Sequence, residues 1–330
     1  MSEQRKNDHI DLALKSQVDQ KRFDFNYEPM LSGHPKDIDL AKDFLGFKVG
    51  APIWFSSMTG GAQDAQVINT NLAKICDKYK LGMGLGSCRN LLDSDKRLSD
   101  FDIKQYMPNS PLYTNLGIAQ LEEILNNGQV DLINQLQAKL SADGLIIHVN
   151  PLQEWAQPEG DRYYSSPIEL IEKLLAATDI PIIVKEVGQG MGPRSLKALC
   201  KLDLAAIEFA AYGGTNFTML EKSRHLASNS GRKTSIEHLA YIGHTKDEMI
   251  SYVNSFESKD IKCRDFIISG GIKSSVDGFR FTELLRFNSL IGLGSVLLKH
   301  AKDLNELDEF IHQEIENLKL ANCFFEVNKK

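Results

Sequence analysis

The chain has no apolar run long enough to span a bilayer, no surplus of basic charge and no paired cysteines. Each absence excludes something. A membrane-spanning helix needs about 20 consecutive apolar residues, so no partnership with a membrane is expected. Lys and Arg total 38 against 44 Asp and Glu, a formal charge of −6. That balance argues against a general polyanion binder, and hence against DNA or RNA as a partner. It leaves room for a local basic cluster that takes a small phosphorylated ligand. The five cysteines (Cys76, Cys88, Cys200, Cys263 and Cys323) are odd in number and form no CxxC pair. This speaks against a disulfide framework or a cysteine-rich zinc site and predicts a reducing, cytoplasmic compartment. The segment from Met1 to Gln20 is polar and charged, unlike a secretory signal.

What is present is a repeated alternation. Eight short apolar or β-branched runs, each ending in small or polar residues, fall at 51–58, 82–86, 112–116, 145–150, 180–187, 206–212, 265–269 and 289–293. Stretches of helical period lie between most of them, at 64–80, 167–178, 193–200, 235–256, 274–287 and 304–321. Pro167 and Pro193 suit first-turn positions, where a missing N–H costs nothing. Strand–helix alternation implies parallel βαβ units, and eight of them predict an α/β fold of the (β/α)8 TIM-barrel type. A doubly wound sheet is the alternative, but no GxGxxG turn opens the first unit. No linker or composition break divides residues 1–330, so a single domain is expected. Residues 1–50 read as an N-terminal arm, helical over 5–20.

The fourth run changes character abruptly. Gly144-Leu145-Ile146-Ile147 gives way to His148-Val149-Asn150-Pro151-Leu152-Gln153-Glu154. Side chains alternate across a strand, so His148 and Asn150 share a face. Pro151 ends the strand, which places Gln153 and Glu154 on the following loop, at the carboxyl end where such barrels carry their chemistry. Glycine pairs mark several strand ends. Those after the seventh and eighth runs, Gly270-Gly271 and Gly292 with Gly294, occupy the ordinal positions where barrels of this type bind phosphate.

These residues resemble the FMN-dependent type 2 isopentenyl-diphosphate isomerases. The likeness runs from Arg5-Lys6-x-x-His9 through Ser57-Met58-Thr59-Gly60-Gly61, Gly86-Ser87-Cys88-Arg89 and Asn115-Leu116-Gly117. It continues in His148-x-Asn150-x-x-Gln153-Glu154, Val184-Lys185-Glu186-Val187-Gly188, Gly213-Gly214-Thr215 and Ser269-Gly270-Gly271-Ile272. The resemblance implies interconversion of isopentenyl and dimethylallyl diphosphate without net redox change. It also implies FMN, Mg²⁺, NADPH as reductant, a prenyl diphosphate as small-molecule partner, and a homo-oligomer, tetrameric or octameric. Met58, Thr59, Gly60, Ser87 and Asn115 match flavin-ring contacts, Lys185 a lysine beside the flavin, and Thr215 a further FMN contact. Gly271, Lys273, Gly294 and Ser295 match the segments that hold the FMN phosphate. Arg5, Lys6, His9, Arg89, His148 and Asn150 match contacts on the diphosphate side, where Ser87 also contributes. Gln153 matches the glutamine at the isoprene carbons and heads the catalytic set with His148 and Asn150; Glu154 matches the magnesium ligand. The chain departs from the family pattern at Cys88, where glutamine is usual, at Phe217, where an indole is common, and at Lys273, which replaces arginine.

Moving a double bond requires one proton added and another removed, through a cationic state that must be kept from water. An uncharged Gln153 at the isoprene position would orient the alkene or relay a proton. Magnesium characteristically uses one or two carboxylates plus substrate phosphates, so Glu154 suffices, with Asp161 as an outer partner. Two other readings stand beside this one: an FMN barrel that oxidises a hydroxy acid, with His148 as its base, and a flavin-binding barrel without catalysis.

Overall fold

A strand buried between a packed interior and a shell of helices carries apolar side chains on both faces. The eight runs behave in this way in a computed structural model of the chain, which describes residues 12–13, 15–18, 20–61, 64–157, 159–227 and 235–329. Three short strands come first: Phe25–Tyr27 (β1), Lys42–Phe44 (β2) and Phe47–Val49 (β3). The eight runs then form Ile53–Phe55 (β4), Gly82–Gly84 (β5), Leu112–Gly117 (β6), Gly144–His148 (β7), Ile182–Lys185 (β8), Ala206–Glu208 (β9), Asp265–Ile268 (β10) and Asn288–Leu293 (β11). All eight pair in parallel and close into a barrel in chain order, β11 returning to β4. Outward residues such as Leu116, Leu145 and Ile147 join the large apolar cluster that includes helix residues Leu121 and Leu170.

The segment expected as an arm divides. Residues 1–11 lie outside the described residues. β2 and β3 form a hairpin turned at Leu45-Gly46, where both φ angles are positive (54° and 79°). Its Phe44 and Val49 pack into the bottom of the barrel with Trp54, Tyr113, Ile146, Ile183, Ile267 and Leu290. The Trp54 ring lies 6.3 Å from Phe44 and 5.8 Å, edge-on, from Tyr113. Burying each large ring contributes roughly 3 kcal/mol. β1 pairs antiparallel with Phe325–Val327 (β12), so the two ends of the chain clasp one another.

Two helix expectations need correction. Pro151 opens a helix, Pro151–Ala156 (α1), rather than a loop, so Gln153 and Glu154 sit on helical turns. Pro167–Ala177 (α2) and Pro193–Cys200 (α3) begin at their prolines, as expected. The stretch 235–256 is not one helix. A short 3₁₀ segment, Ser235–Tyr241, is separated from Lys246–Ser255 (α5) by a break that the capping box of Thr245 and Glu248 explains. Phe217–Ala227 (α4) stands between α3 and the 3₁₀ segment. Among the described residues no helix is long and apolar enough to cross a membrane. The five cysteines are all free thiols.

Candidate active site

Two residues beyond each inward side chain of the lower barrel, the strands change chemistry together. Trp54 is followed by Ser56, Gly82 by Gly84, Tyr113 by Asn115, Ile146 by His148, Ile183 by Lys185, Ala206 by Glu208, Ile267 by Ser269 and Leu290 by Gly292. A two-residue step keeps a side chain on the same face, so these eight form an upper ring facing the carboxyl-end mouth. A cleft opens there. Met58, Lys185, Thr215, Gly271, Gly294 and Ser295 line it, with Ser56, Ser57, Glu208, Phe217 and Ser269 beside them.

Not every residue matched to the flavin faces this cleft. The Thr59 hydroxyl donates to Asn69 Oδ1, and Asn69 in turn donates to the Asp100 carbonyl at 2.7 Å. Thr59 and Gly60 pack backbone to backbone on Gly86-Ser87: a Cβ on Gly86 would lie 2.0 Å from the Thr59 carbonyl oxygen. Lys273 is exposed on the turn ahead of the Ser275–Leu284 helix, away from the cleft lining. Behind the glycine turn, Lys246 donates to the Gly270 carbonyl at 2.5 Å, and burial lowers its pKa. Cys88 is buried against the Gly86 carbonyl and pushed up to about 12 by desolvation, far from a reactive thiolate.

At the end of β6, Asn115 donates to the Leu85 carbonyl at 3.0 Å, leaving its Oδ1 to meet His148 Nδ1 at 2.7 Å. That pairing fixes Nδ1 as the protonated nitrogen and Nε2 as an acceptor. Desolvation, with the charge of Lys185 second, pushes the His148 pKa down to about 3, so the ring is neutral. Lys185 is buried and donates to the Glu186 backbone carbonyl at 2.8 Å, not to the Glu186 carboxylate. That carboxylate instead accepts the N–H groups of Gly188, Gln189 and Gly190.

The strand-end cluster of β7 is a single network. Asn150, buried, donates to Glu154 Oε1 at 2.8 Å and to Gln153 Oε1 at 3.2 Å. Glu154 Oε2 accepts the Asp161 N–H at 2.8 Å, and the Asp161 carboxylate pairs with Arg89 and takes an N–H from Gln120. On the other side, Gln153 donates to Glu221 Oε1 at 3.4 Å and Gln157 to the same oxygen at 2.7 Å, while Arg224 holds the second oxygen at 2.7 Å. The structure thus brings together Arg89, His148, Asn150, Gln153 and Glu154. Ser87 lies exposed on the neighbouring loop; Arg5, Lys6 and His9 lie outside the described residues.

Glu221, Glu208 and Ser56 are not singled out by the sequence, and Ser269 enters there only as the start of a glycine motif, with no role of its own. The last three follow from stepping two residues past the inward apolar side chain of each run. Glu221 carries no such signal, being on α4 and 68 residues from Gln153.

A comparison with models of known protein families finds no match. Among curated proteins the chain is 33% identical over 326 residues to an isopentenyl-diphosphate delta-isomerase of Synechococcus sp., covering 96% of this chain and 90% of that one. It is 34% identical over 329 residues to the protein of that name from Rickettsia rickettsii, covering 96% and 92%. Among solved structures it resembles a mandelate oxidase variant with 2-hydroxy-phenylacetamide (TM-score 0.59, 14% identity, 93% and 87% covered). A flavocytochrome b2 variant with sulfite bound gives a TM-score of 0.60 at 18% identity, covering 90% and 72%. At those identities what the chain shares with these structures is the barrel fold. With a third of its residues shared along nearly its whole length, the chain belongs to the isopentenyl-diphosphate delta-isomerase family.

Proposed function

We propose that this chain interconverts isopentenyl and dimethylallyl diphosphate at the upper ring of the barrel, with FMN in the cleft, NADPH as its reductant and Mg²⁺ on the diphosphate. One observation carries the reading. An uncharged Gln153 and a carboxylate, Glu154, stand on adjacent positions of one helix, both tethered by Asn150, just past the end of β7, whose His148 is the register neighbour of the cleft-lining Lys185.

The residues fit a polar cofactor. Buried side-chain atoms in native proteins are nearly always hydrogen-bonded, yet Ser56 Oγ, Ser57 Oγ and Glu208 Oε2 have no partner among the described residues. All three residues line the cleft. Met58, Thr215, Gly271, Gly294 and Ser295 would hold FMN there, with Lys185 beside the ring. When bound and reduced, FMN supplies an exchangeable proton at N5 and an electron-rich ring face. Glu154 fits Mg²⁺ as a single carboxylate completed by substrate phosphates. Asn150 and the Asp161 N–H hold one lone pair on each Glu154 oxygen, and Arg89 stands beside Asp161 on the diphosphate side.

Gln153 is clamped at both ends of its amide, by Asn150 at Oε1 and Glu221 at Nε2, so it meets the isoprene in one orientation. A fixed amide steadies a developing cation without taking its proton. A hydroxy-acid oxidation would need a base near neutrality, and His148 at about 3 is too weak a base for that role.

The test uses the full chain with FMN, NADPH, Mg²⁺ and isopentenyl diphosphate in D₂O. Deuterated dimethylallyl diphosphate is the expected product, and Gln153→Ala should lower kcat by about 100-fold or more with FMN affinity little changed. Neither product nor exchange in the parent protein, or near-parental turnover in both Gln153→Ala and Gln153→Asn, would sink the reading.

A further inference from the structure

The cleft floor contains a carboxylate whose hydrogen bonding is only half complete. Glu208 ends β9 and is fully buried. Its Oε1 accepts the Ser269 hydroxyl at 3.0 Å, and Ser269 Oγ accepts the Ala210 N–H at 2.9 Å. Its Oε2 is buried with no partner among the described residues. No ion pair among the described residues offsets it: Lys185, its register neighbour on β8, gives its ammonium to the Glu186 carbonyl. A carboxylate is acceptor-only, so what is missing is a donor.

We propose that Glu208 accepts a hydrogen bond from a hydroxyl of the ribityl chain of the flavin, a reading that rests on the flavin site above. Three observations point that way. Glu208 lies in the cleft lining between Lys185, on the ring side, and Ser269, which runs directly into Gly270-Gly271. A phosphate offers no donor, whereas the polyol between phosphate and ring offers three. Ser269 already uses its hydrogen on Oε1, so it cannot satisfy Oε2. Charge-assisted bonds to a buried carboxylate are the strong ones, which makes Glu208 an affinity and orientation determinant toward the sugar part rather than the ring.

The experiment titrates the purified full chain and its Glu208→Leu and Glu208→Gln variants with FMN, riboflavin and lumiflavin, following flavin fluorescence. Lumiflavin has the ring but no ribityl chain. Glu208→Leu should weaken FMN and riboflavin by about 10–100-fold, the range for a hydrogen bond to a charged group. Glu208→Gln should weaken them less, and neither should alter lumiflavin. Without flavin, Glu208→Leu should unfold at or above the parent's denaturant midpoint, because a buried, half-satisfied charge has been removed. Should the leucine variant not fold, the isosteric glutamine variant carries the same three-ligand comparison. Undiminished FMN affinity in the variants, or an equal loss for lumiflavin, overturns this assignment alone. A parent protein that binds none of the three flavins overturns the flavin site as well.

Discussion

The lower and upper rings of the barrel are built by the same eight strands, two residues apart, and they are opposites. Below, Trp54, Tyr113, Ile146, Ile183, Ala206, Ile267 and Leu290 form a dry layer closed by Phe44 and Val49. Above, every inward position is polar or glycine. Among the described residues the lower ring has one buried polar atom without a partner, Trp54 Nε1; the upper ring has two, Ser56 Oγ and Glu208 Oε2, with Ser57 Oγ next to Ser56 in the chain. The difference teaches where the cost of function sits. Asn115, His148 and Lys185 each hydrogen-bond within the protein, while Ser56 Oγ and Glu208 Oε2 find no partner among the described residues.

The sharpest way to break the comparison is at Trp54. Trp54→Ala empties the centre of the dry layer and should cost about 3–5 kcal/mol in denaturant unfolding, with turnover per folded molecule close to the parent's. A large fall in specific activity without a loss of stability would mean that the lower ring is not a separate structural layer. Trp54→Phe sharpens the point, since it also removes an indole N–H that has no partner.

In the upper ring the corresponding signature is pH. His148 has a folded pKa of about 3 against the ordinary 6.5, so between those values the unfolded chain takes up a proton that the folded chain refuses. Stability from the neutral ring is fully present above pH 6.5 and is lost as pH falls, by about 1.4 kcal/mol per unit. That is about 3 kcal/mol by pH 4, as an upper figure. Denaturant unfolding at pH 7, 5 and 4 should therefore show a steeper acid loss in the parent than in His148→Gln, since carboxylate contributions are common to both. Parallel pH profiles would mean that His148 titrates normally.

Much of this was legible in the chain because the barrel repeats one rule. A strand buried on both faces reads as a short apolar run, and all eight runs became barrel strands in order. Pro167 and Pro193 stated their helix starts outright. Pro151 misled because a proline that ends a strand is equally suited to open a helix, and no residue between 148 and 154 separates the two. The break before Lys246 did have a signal, the Thr245-x-x-Glu248 box, which the apolar period through 235–256 masked. The β1–β12 clasp had none: Phe25 meets Val327 through two three-residue strands at opposite ends of the chain. Of the site, the cluster from His148 to Glu154 stood out because four polar groups interrupt one run. Glu208 and Ser269 are single polar residues at the ends of other runs, visible only once the strands are read as one ring. Glu221 reaches Gln153 from α4 by tertiary packing, and no local pattern predicts that.

The smallest expected effect separates Gly144, packed against Tyr113 of the lower ring, from Gly84 of the upper ring. A Cβ on Gly144 would lie 2.2 Å from the Tyr113 ring and 2.6 Å from the Pro181 carbonyl oxygen. Neither can give way: the ring is wedged edge-on against Trp54, and the carbonyl accepts the Leu145 N–H. Gly144→Ala should therefore cost about 1–3 kcal/mol by overpacking. A Cβ on Gly84 would meet Ile146 Cδ1 at 2.4 Å and Ser57 Oγ at 2.5 Å, the ends of side chains rather than backbone. Both can rotate, and Ser57 Oγ has no hydrogen bond to lose. Gly84→Ala should thus unfold nearer to the parent than Gly144→Ala while weakening FMN binding more, because the displaced hydroxyl moves into the cleft. If the two variants rank the other way in both denaturant unfolding and flavin titration, the upper ring is packed as tightly as the lower one, and the contrast between a dry layer and a ligand-ready layer fails.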